Sequence, residues 1–454
     1  MNPRSTNSRS TNCRSTDSRR EGEQILPSAE ETPRGTSTPT LYAPLRHRRF
    51  RRLAVARCAS AFDKTMAPVV LAFAVLDIGG STLDLGLVIG ARSLALVAFV
   101  LFGGVAADRW PRVRVVQGSG AASALVMAVT AGSVYTGLAS VQLLLWLSLL
   151  GGALAGVSLP ALSALTPQTV PPELIPQANA AARMGANAAM FVGASAAGLL
   201  VAVFSASAGI AVDAAVCLVM AVCFLGAGEV TAVGSRPAPG RTRPIAELRE
   251  GWQEFVLRPW VWVVTVAFAL INAAGSGGLQ VLGPVVADAS FGRATWGFAL
   301  AAQTVGMLCG ALLVTWWRPV HALRNGVALS ALEAVPLAVL AFWPSPLPLV
   351  VAMFLSGVAI EQFGIAWDVS LQDRVPADRL ARIYAYDTLG SYVAIPLGQV
   401  LAGPLSGRLG VRATLIGGAA LVVASVAGAL CSASLRGLVR KVPAPTPPAP
   451  TPPA

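Results

Sequence analysis

Charge is scarce in this sequence. Only 12% of its 454 residues are Asp, Glu, Lys or Arg, whereas a soluble globular domain carries about 25%. Hydrophobic residues make up 54% of the chain. Between Leu53 and Leu438 the sequence repeatedly runs apolar for the ~20 residues that a helix needs to cross a bilayer. These features exclude an ordinary soluble domain and predict a polytopic membrane protein.

Histidine, lysine and paired cysteines are also scarce. The chain has two His (His47 and His321), and its six Cys form no CxxC or CxH pattern, so we predict neither a metal site nor a disulfide framework. The sequence has no GxxxxGK[ST] motif for ATP and too few His for a Ser-His-Asp arrangement. We therefore expect no cofactor, no metal and no enzymatic activity.

The net charge of +12 comes from arginine. Of the 34 basic residues two are Lys, so 32 are Arg, and most lie in short loops or tails. In a membrane protein this pattern reports orientation, because Lys and Arg are retained on the cytoplasmic side. The basic loops and tails predict a multi-pass protein of the cytoplasmic membrane with both termini in the cytoplasm and no nucleic-acid partner.

Five regions are predicted along the chain. Residues 1–43, with a Ser/Thr/Arg repeat, and the Pro-rich residues 439–454 read as disordered tails. Between them we predict an N-terminal six-helix half at 44–228, a cytoplasmic linker at 229–258 and a C-terminal six-helix half at 259–438. The twelve predicted spans are 53–77, 82–107, 114–135, 141–164, 176–203, 207–228, 259–286, 294–316, 321–342, 347–370, 380–404 and 411–435.

The linker contains "PIAELREGWQEFVL" (244–257), whose apolar residues recur at helical spacing. This pattern predicts an amphipathic helix on the membrane surface.

The two halves repeat each other. At an offset of 205 residues Val170-Pro171 matches Val375-Pro376, Glu173 matches Asp378, Gly193 matches Gly398, and Ala197-Gly198 matches Ala402-Gly403. Repeated six-helix halves are a transporter architecture that holds its substrate near the membrane midplane. The repeat thus predicts an all-α fold of two pseudo-symmetric halves.

The stretch "GGVAADRWPRVRVV" (103–116) runs from the end of the second predicted span into the start of the third. It resembles the loop signature of the major facilitator superfamily, with Gly104, Asp108, Arg109 and Arg112 at the matching positions. The resemblance covers about residues 48–436. It implies the major facilitator fold and a conformational latch in which the Gly and Asp act between spans 2 and 11, with the Asp near the start of helix 11, where a helix N-terminus favours an anion.

Other segments resemble the branch that contains the enterobactin and macrolide exporters, above all "IAELREGWQEFVLRPWVW" (245–262). That resemblance implies export of a small organic molecule driven by proton entry. Two departures are present. Ala194 stands where exporters often have Pro after Gly193, and the loop copy "ALLVTWWRPVHALRNGV" lacks the Asp.

Ionisable residues inside spans are costly, so each is a functional candidate. Asp63 in span 1 is a candidate for proton coupling or a substrate contact, and its alternative role is a salt bridge. Arg92 in span 2 is interpreted as an anion site or as the counter-charge of Asp63. For Asp213 in span 6 we favour a structural hydrogen bond.

Span 10 provides the next candidates. Glu361 and Asp368 are seven residues apart and share a helix face, and Gln362 lies beside Glu361. Asp368 has the alternative role of a helix cap. Trp367 is the candidate cavity aromatic.

Two further spans carry polar groups. Span 7, "NAAGSGGLQVLGP", places Asn272 and Gln280 around a glycine-rich break, which predicts a gating or binding site or else close helix packing. Span 5 has a polar stripe that contains Arg183, which in the alternative interpretation snorkels to the interface.

The function predicted from these observations is secondary active export of small hydrophobic drugs or natural products, by proton antiport with alternating access. The alternatives are a dedicated siderophore or secondary-metabolite exporter, an uptake symporter, and a non-transporting receptor or scaffold. The expected partners are the lipid bilayer, a small-molecule substrate and protons, and the expected functional unit is a monomer.

Overall fold

A computed structural model of the chain describes residues 43–225, 252–253, 255–316 and 319–438. The predicted tails at 1–43 and 439–454 lie outside these residues except for Ala43. Most of the linker at 229–258 also lies outside, and only its last few residues are described.

The described chain folds into twelve long helical segments, joined by turns and a few short helices. They are α1 (Arg48–Asp77), α2 (Thr82–Arg109), α3 (Arg112–Tyr135), α4 (Val141–Leu165), α5 (Ile175–Val203), α6 (Ala206–Val222), α7 (Pro259–Ala289), α8 (Arg293–Trp316), α9 (Ala322–Phe342), α10 (Pro346–Arg374), α11 (Ala377–Leu409) and α12 (Val411–Cys431). Ten contain stretches long and apolar enough to cross a membrane. The other two are α6, with 17 residues, and α11, whose 33 residues are less apolar. The predicted all-α fold with twelve spans is confirmed.

The helices extend beyond several predicted ends. α1 begins five residues early, at Arg48, and α10 and α11 run on to Arg374 and Leu409. The predicted ends marked the limits of the apolar sequence. A helix can continue into polar sequence beyond them, as far as the turn that ends it. α6 is the opposite case, because it ends at Val222 and a turn follows.

Two segments are interrupted. In α7 the residues Ser276–Leu282 form a π-helical turn, and α9 contains the 3₁₀ turn Ser330–Glu333. π-helical turns inside α-helices are rare and occur often at functional sites. The break that the glycine-rich sequence predicts in span 7 is therefore present, while the break in α9 is an additional feature.

The sequence repeat corresponds to a repeat in packing. A methyl group added to Gly193 of α5 would approach Phe62 of α1, and one added to Gly398 of α11 would overlap Ala273 of α7. A hydrogen bond between the first and the fifth helix also occurs in each half. Thr65 Oγ1 donates to the Met190 carbonyl at 2.9 Å, and Ser276 Oγ donates to the Ile395 carbonyl at 3.0 Å. Met190 and Ile395 are again 205 residues apart, so α1–α5 and α7–α11 pack alike.

The second glycine of each repeat packs across the molecule. We call α1–α6 the N-terminal bundle and α7–α12 the C-terminal bundle. Gly198 of α5 touches Gly297 of α8, and Gly403 of α11 touches Leu83 of α2. Each bundle therefore places its fifth helix against the other bundle's second helix, as a pseudo-two-fold relation requires.

These cross-bundle contacts lie on one side of the molecule. Because the helices alternate in direction, α1 ends and α2 begins on the same side, which we call the distal side; the opposite side, where α1 begins, is the terminal side. Near the distal end, α2 and α11 are joined by a hydrogen bond from Ser406 Oγ to Thr82 Oγ1 at 3.1 Å. Gly79 and Gly292 occupy equivalent distal turns with φ near +75° and +85°, a conformation that glycine adopts readily.

The described end of the linker is helical at Trp252–Gln253 and Phe255–Val256. Phe255 is buried, and its ring centroid lies 6.0 Å from that of Tyr386 in α11. Trp252 and Val256 are exposed. All three residues belong to the apolar face predicted for the linker, so the amphipathic helix on the membrane surface stays a prediction.

Candidate transport site

A buried ion pair joins α1 to α2. Arg92 Nη2 donates to Asp63 Oδ1 at 2.8 Å, and the two side chains are only 7% and 12% exposed. A salt bridge was the alternative role predicted for Asp63 and the counter-charge of Asp63 one of two predicted for Arg92, and the structure brings the two side chains together. In a low-dielectric interior such a pair is held strongly, since separating it leaves a buried charge without compensation.

Two glycines make room for the guanidinium. A methyl group at Gly151 of α4 would lie 2.5 Å from Arg92 Nη1, and one at Gly152 would overlap the Arg92 backbone. The pair "GG" in α4 thus lets α2 approach closely and leaves space for a large charged side chain. One guanidinium nitrogen, Arg92 Nη1, is buried without a hydrogen-bond partner among the described residues.

A second carboxyl faces the pair from α6. Asp213 is 0% exposed, and neither of its oxygens has a hydrogen-bond partner in the part of the chain that the structure describes. The structural hydrogen bond expected for Asp213 is therefore not present there. Cys217, one turn further along α6, places its Sγ 3.7 Å from Asp63 Oδ1. We call Asp63, Arg92, Asp213 and Cys217 the N-terminal cluster.

The N-terminal cluster contains atoms that could serve as ligands of a metal ion. One oxygen from each Asp and the Cys217 sulfur lie within 4.8 Å of one another. However, Arg92 already places a positive charge against Asp63, and a divalent ion beside a buried guanidinium would be repelled. The guanidinium is the cation to which this arrangement is fitted.

The C-terminal bundle has uncharged residues at the corresponding places. Gly357 of α10 packs against the Gln303 backbone as Gly152 packs against Arg92, and Gly357 is 205 residues after Gly152. Gly418, 205 residues after Asp213, lies near Ala274 of α7. Ala274 is 211 residues after Asp63, the same separation as Gln303 from Arg92, so it corresponds to Asp63. Gln303 donates to Ser356 at 3.4 Å. The repeat thus preserves the packing but not the charge.

A different polar group lies between α7, α10 and α11. Asp387 of α11 accepts hydrogen bonds from Thr265 Oγ1 at 2.8 Å and from Trp367 Nε1 at 2.9 Å. Trp367 is 6% exposed. The cavity aromatic chosen from the sequence therefore has its indole nitrogen bound to an acid that the sequence analysis did not select.

Aromatic rings continue from Trp367. Its indole makes an edge contact with Trp260 at 5.7 Å, and Phe363 stacks on Phe268 with ring centroids 3.5 Å apart. Phe363 also lies 6.1 Å from Trp367. We call Trp260, Phe268, Phe363, Trp367 and Asp387 the C-terminal aromatic cluster.

Charged side chains from the two bundles approach each other beside this cluster. Arg183 of α5 lies 3.9 Å from Asp368 of α10, and Tyr384 of α11 donates to Asp368 at 3.0 Å. Lys64 of α1 is exposed, with its ammonium 5.8 Å from the Tyr392 ring of α11. The N-terminal bundle therefore presents basic groups and the C-terminal bundle an acidic one.

The other predicted site residues join helices. Asn272 and Gln280 of α7 bind α11, through the Ser391 carbonyl at 3.2 Å and Gln399 at 2.8 Å. Gln362 is buried and donates to the Gly310 carbonyl of α8 at 2.7 Å. Glu361 is half-buried, and its Cβ lies close to Gly310. Their roles in coupling or binding remain predictions.

The predicted latch is described only in part. At Gly104 and Asp108 the structure describes only the helical backbone. Arg109 is exposed, and Arg112 donates to the Ala164 carbonyl at the end of α4 at 3.2 Å. The described close contacts of α2 with α11 instead involve Gly86 and Gly90, toward the distal side. The latch remains a prediction.

A charged contact closes the distal side. Arg293, at the start of α8, lies 2.7 Å from Asp77 at the end of α1 and 2.6 Å from Asp288 in α7. Its guanidinium also lies 5.0 Å from the Phe73 ring. The Arg293–Asp77 bridge spans the two bundles, and it lies on the same side as the glycine contacts between them.

Comparison with known proteins places this geometry in a family. The model of the Major Facilitator Superfamily matches residues 53–398. The chain belongs to this superfamily. It is similar to the enterobactin exporter EntS of Escherichia coli O1:K1 and of Escherichia coli O6:H1 strain CFT073. With each it shares 27% identity over 376 residues, which cover 80% of this chain and 86% of the relative.

Solved structures show the same fold. The nucleoside transporter NupG superposes with a TM-score of 0.66 at 12% identity, covering 84% of this chain and 98% of that one. A bacterial homolog of the human lysosomal transporter Spinster, in an inward-facing conformation, gives a TM-score of 0.66 at 15% identity, with 86% and 96% covered. The protein is thus a transporter of the major facilitator fold in a membrane.

Sequence reasoning missed Asp387 and Cys217. Asp387 lies in "YAYDTLGSY" inside the predicted span 380–404, so the cost of an acid in a membrane would have identified it. Cys217 reads as a small hydrophobe, and its proximity to Asp63 depends on how α1 and α6 pack.

Proposed function

We propose that the protein is a proton-driven exporter of small aromatic organic molecules across the cytoplasmic membrane, and that protons enter as substrate leaves. The observation that carries the proposal is the buried Asp63–Arg92 pair. An ionisable carboxyl inside a membrane-embedded bundle has an unfavourable free energy of insertion, so its presence there indicates a function. Here it lies apart from the aromatic cluster, so one bundle can bind protons and the other the substrate.

The C-terminal aromatic cluster supports an aromatic substrate. Phe363 is half-buried and can offer a ring face to a ligand, while the buried rings of Trp260, Phe268 and Trp367 support it. Aromatic pairs stabilise such contacts by about 0.5–1.5 kcal/mol beyond their buried area. Asp387 and Asp368 provide acceptors, while Arg183 and Lys64 provide positive charge. Because both signs are present, the described side chains suit a ligand with polar groups on an aromatic frame.

Export is supported by the relatives, since EntS is an enterobactin exporter. The distal closure by Arg293 fits a conformation in which substrate enters from the terminal side, which the arginine distribution predicts to be cytoplasmic. In alternating access the distal contacts then break and the terminal ends approach each other.

The test uses purified protein in proteoliposomes with two probes, enterobactin and the aromatic cation ethidium. Imposing an inward-directed proton gradient should accelerate the movement of at least one probe against the direction of proton flow. An uncoupler should abolish the acceleration. If neither probe moves faster with the gradient than without it, proton-driven export of aromatic molecules is contradicted.

A dedicated siderophore exporter is the second candidate, favoured by the similarity to EntS over 80% of the chain. The same assay separates it from a broad drug exporter. Transport of enterobactin without ethidium supports the dedicated exporter, and transport of both supports the broad one.

A further inference from the structure

We propose that Asp213 is the proton-carrying group of the N-terminal cluster and that it shares one proton with Asp63 across Arg92. This inference rests on the proposed function and adds a second carboxyl to its coupling site. The basis is an imbalance of charge, because two buried carboxyls face one buried guanidinium.

Charge balance gives the first step. If both carboxyls were ionised, the cluster would hold two negative charges and one positive charge out of contact with water. Two carboxylates this close repel, and sharing one proton relieves the repulsion. The uncompensated charge would also be costly at this depth. One proton makes the cluster neutral.

The hydrogen bonds give the second step. Asp63 accepts from Arg92 at 2.8 Å, as an ionised carboxylate does, whereas both oxygens of Asp213 lack partners among the described residues. An ionised carboxylate buried with no donor is the costliest arrangement available. The proton is therefore assigned to Asp213.

Neighbouring helices offer no other described charge to this cluster. α4 contains no titratable residue, and on α6 the only other titratable groups are the thiols of Cys217 and of Cys223, which follows the helix. On α1, Lys64 is directed to Tyr392 in the other bundle, Arg57 donates to Thr166 at the end of α4, and Cys58 lies beside Gly185 of α5. The remaining charged groups of α1 and α2 lie at the helix ends. The remaining titratable groups of α3 and α5 lie at the helix ends or are exposed: Arg112, Arg114, Tyr135 and Arg183.

Arg92 allows the proton to leave. In a conformation that admits water to the cluster, the Asp213 O–H bond breaks, a water molecule takes the proton and the carboxylate keeps the electron pair. Arg92 Nη1 is an unpartnered donor in the described structure, so it can pair with the new carboxylate while Nη2 remains on Asp63. The guanidinium would then bind two carboxylates in the deprotonated state and one in the protonated state.

The corresponding residue of the other bundle provides a contrast. Gly418 stands at the place of Asp213, and Ala274 and Gln303 stand at the places of Asp63 and Arg92. A structural need for charge common to both bundles would have placed charged groups in both. The pairing of a second acid with a first acid and an arginine is confined to the bundle that contains Asp63.

Infrared difference spectroscopy of the full-length protein in membranes tests the assignment. A protonated carboxyl absorbs at a C=O frequency above the amide bands, and wild type minus variant isolates the band of one residue. At neutral pH, Asp213→Asn should remove one such band and Asp213→Glu should restore it at a shifted frequency. Asp63→Asn should remove it as well, because Arg92 then pairs with an ionised Asp213.

Glu333→Gln is the matched control, since Glu333 of α9 has a buried oxygen without a partner but lies in the other bundle. This variant should leave the Asp213 band in place. If the Asp213→Asn spectrum loses no carboxyl band relative to wild type, the assignment is overturned. If the Asp63→Asn spectrum loses none, the sharing of the proton is overturned. The spectrum needs no substrate. If the wild type failed to transport enterobactin and ethidium, the proposed function would be contradicted, but the infrared assignment of the Asp213 proton could still be made.

Discussion

The two six-helix bundles share a backbone plan and differ in chemistry. Gly193 and Gly398 make the same close approach, as do Gly198 and Gly403, yet Asp63 and Arg92 correspond to Ala274 and Gln303. Glycine positions are constrained by how closely two backbones pass, so a pseudo-symmetric fold retains them on both sides. Charged positions are not required by this packing, and here they differ between the bundles. The two bundles therefore share their helix packing but not their buried charge.

The largest effect is expected from removing the charge that only one bundle has. Arg92→Leu leaves buried carboxyls without a counter-charge and should lower the free energy of unfolding by about 3–5 kcal/mol. The matched change Gln303→Leu removes one neutral hydrogen bond, to Ser356, and should cost about 1 kcal/mol. Denaturation of the purified proteins in detergent, followed by tryptophan fluorescence, measures both. Equal losses would show that the two sites are alike.

A smaller effect is expected where the bundles are alike. Gly198→Ala and Gly403→Ala each add a methyl group against backbone of the opposite bundle, at Gly297 and at Leu83. Overpacking of this kind costs about 1–3 kcal/mol, and the cost falls on the distally closed conformation. Both variants should therefore shift the population toward the distally open state.

Spin-label distances between Tyr135→Cys and Trp343→Cys measure that shift, in a background without other exposed cysteines. Both positions are highly exposed at distal helix ends, one in each bundle. Gly428→Ala is the control because its added methyl group meets nothing within 4 Å. If only one of the two glycine variants lengthens the distance, the pseudo-symmetry of the closure is contradicted.

The smallest effect is expected at the distal ion pair. Arg293→Ala removes the bridges to Asp77 and Asp288, which are partly exposed, so the loss should be about 0.2–1 kcal/mol for the pair that spans the bundles. This should lengthen the same spin-label distance in a minor fraction of molecules. Arg412→Ala is the control, because Arg412 contacts Phe342 within the C-terminal bundle. A control that opens the distal side as much as Arg293→Ala would refute a specific closure.

The sequence predicted the architecture well because hydropathy and the glycine repeat report packing directly. It also offered Asp63 as the partner of Arg92, with an anion site as the alternative, because an acid and a base in neighbouring spans can pair only if both turn toward each other. It did not predict that Gln362, Asn272 and Gln280 would bind neighbouring helices, because the direction of a polar side chain depends on helix rotation. The environment of Asp213 could not be predicted for the same reason: it is set by the packing of α6 on α1, and no local pattern encodes that.

The central claim is that proton coupling belongs to the N-terminal cluster and substrate contact to the C-terminal aromatic cluster. The direct measurement is the ratio of gradient-driven to gradient-free transport in proteoliposomes, for Asp63→Asn and Asp387→Asn, with whichever of enterobactin or ethidium the wild type moves. Asp63→Asn should bring the ratio to one. Asp387→Asn should keep the ratio well above one and raise the half-saturating probe concentration. A ratio that survives Asp63→Asn and collapses in Asp387→Asn would contradict the account.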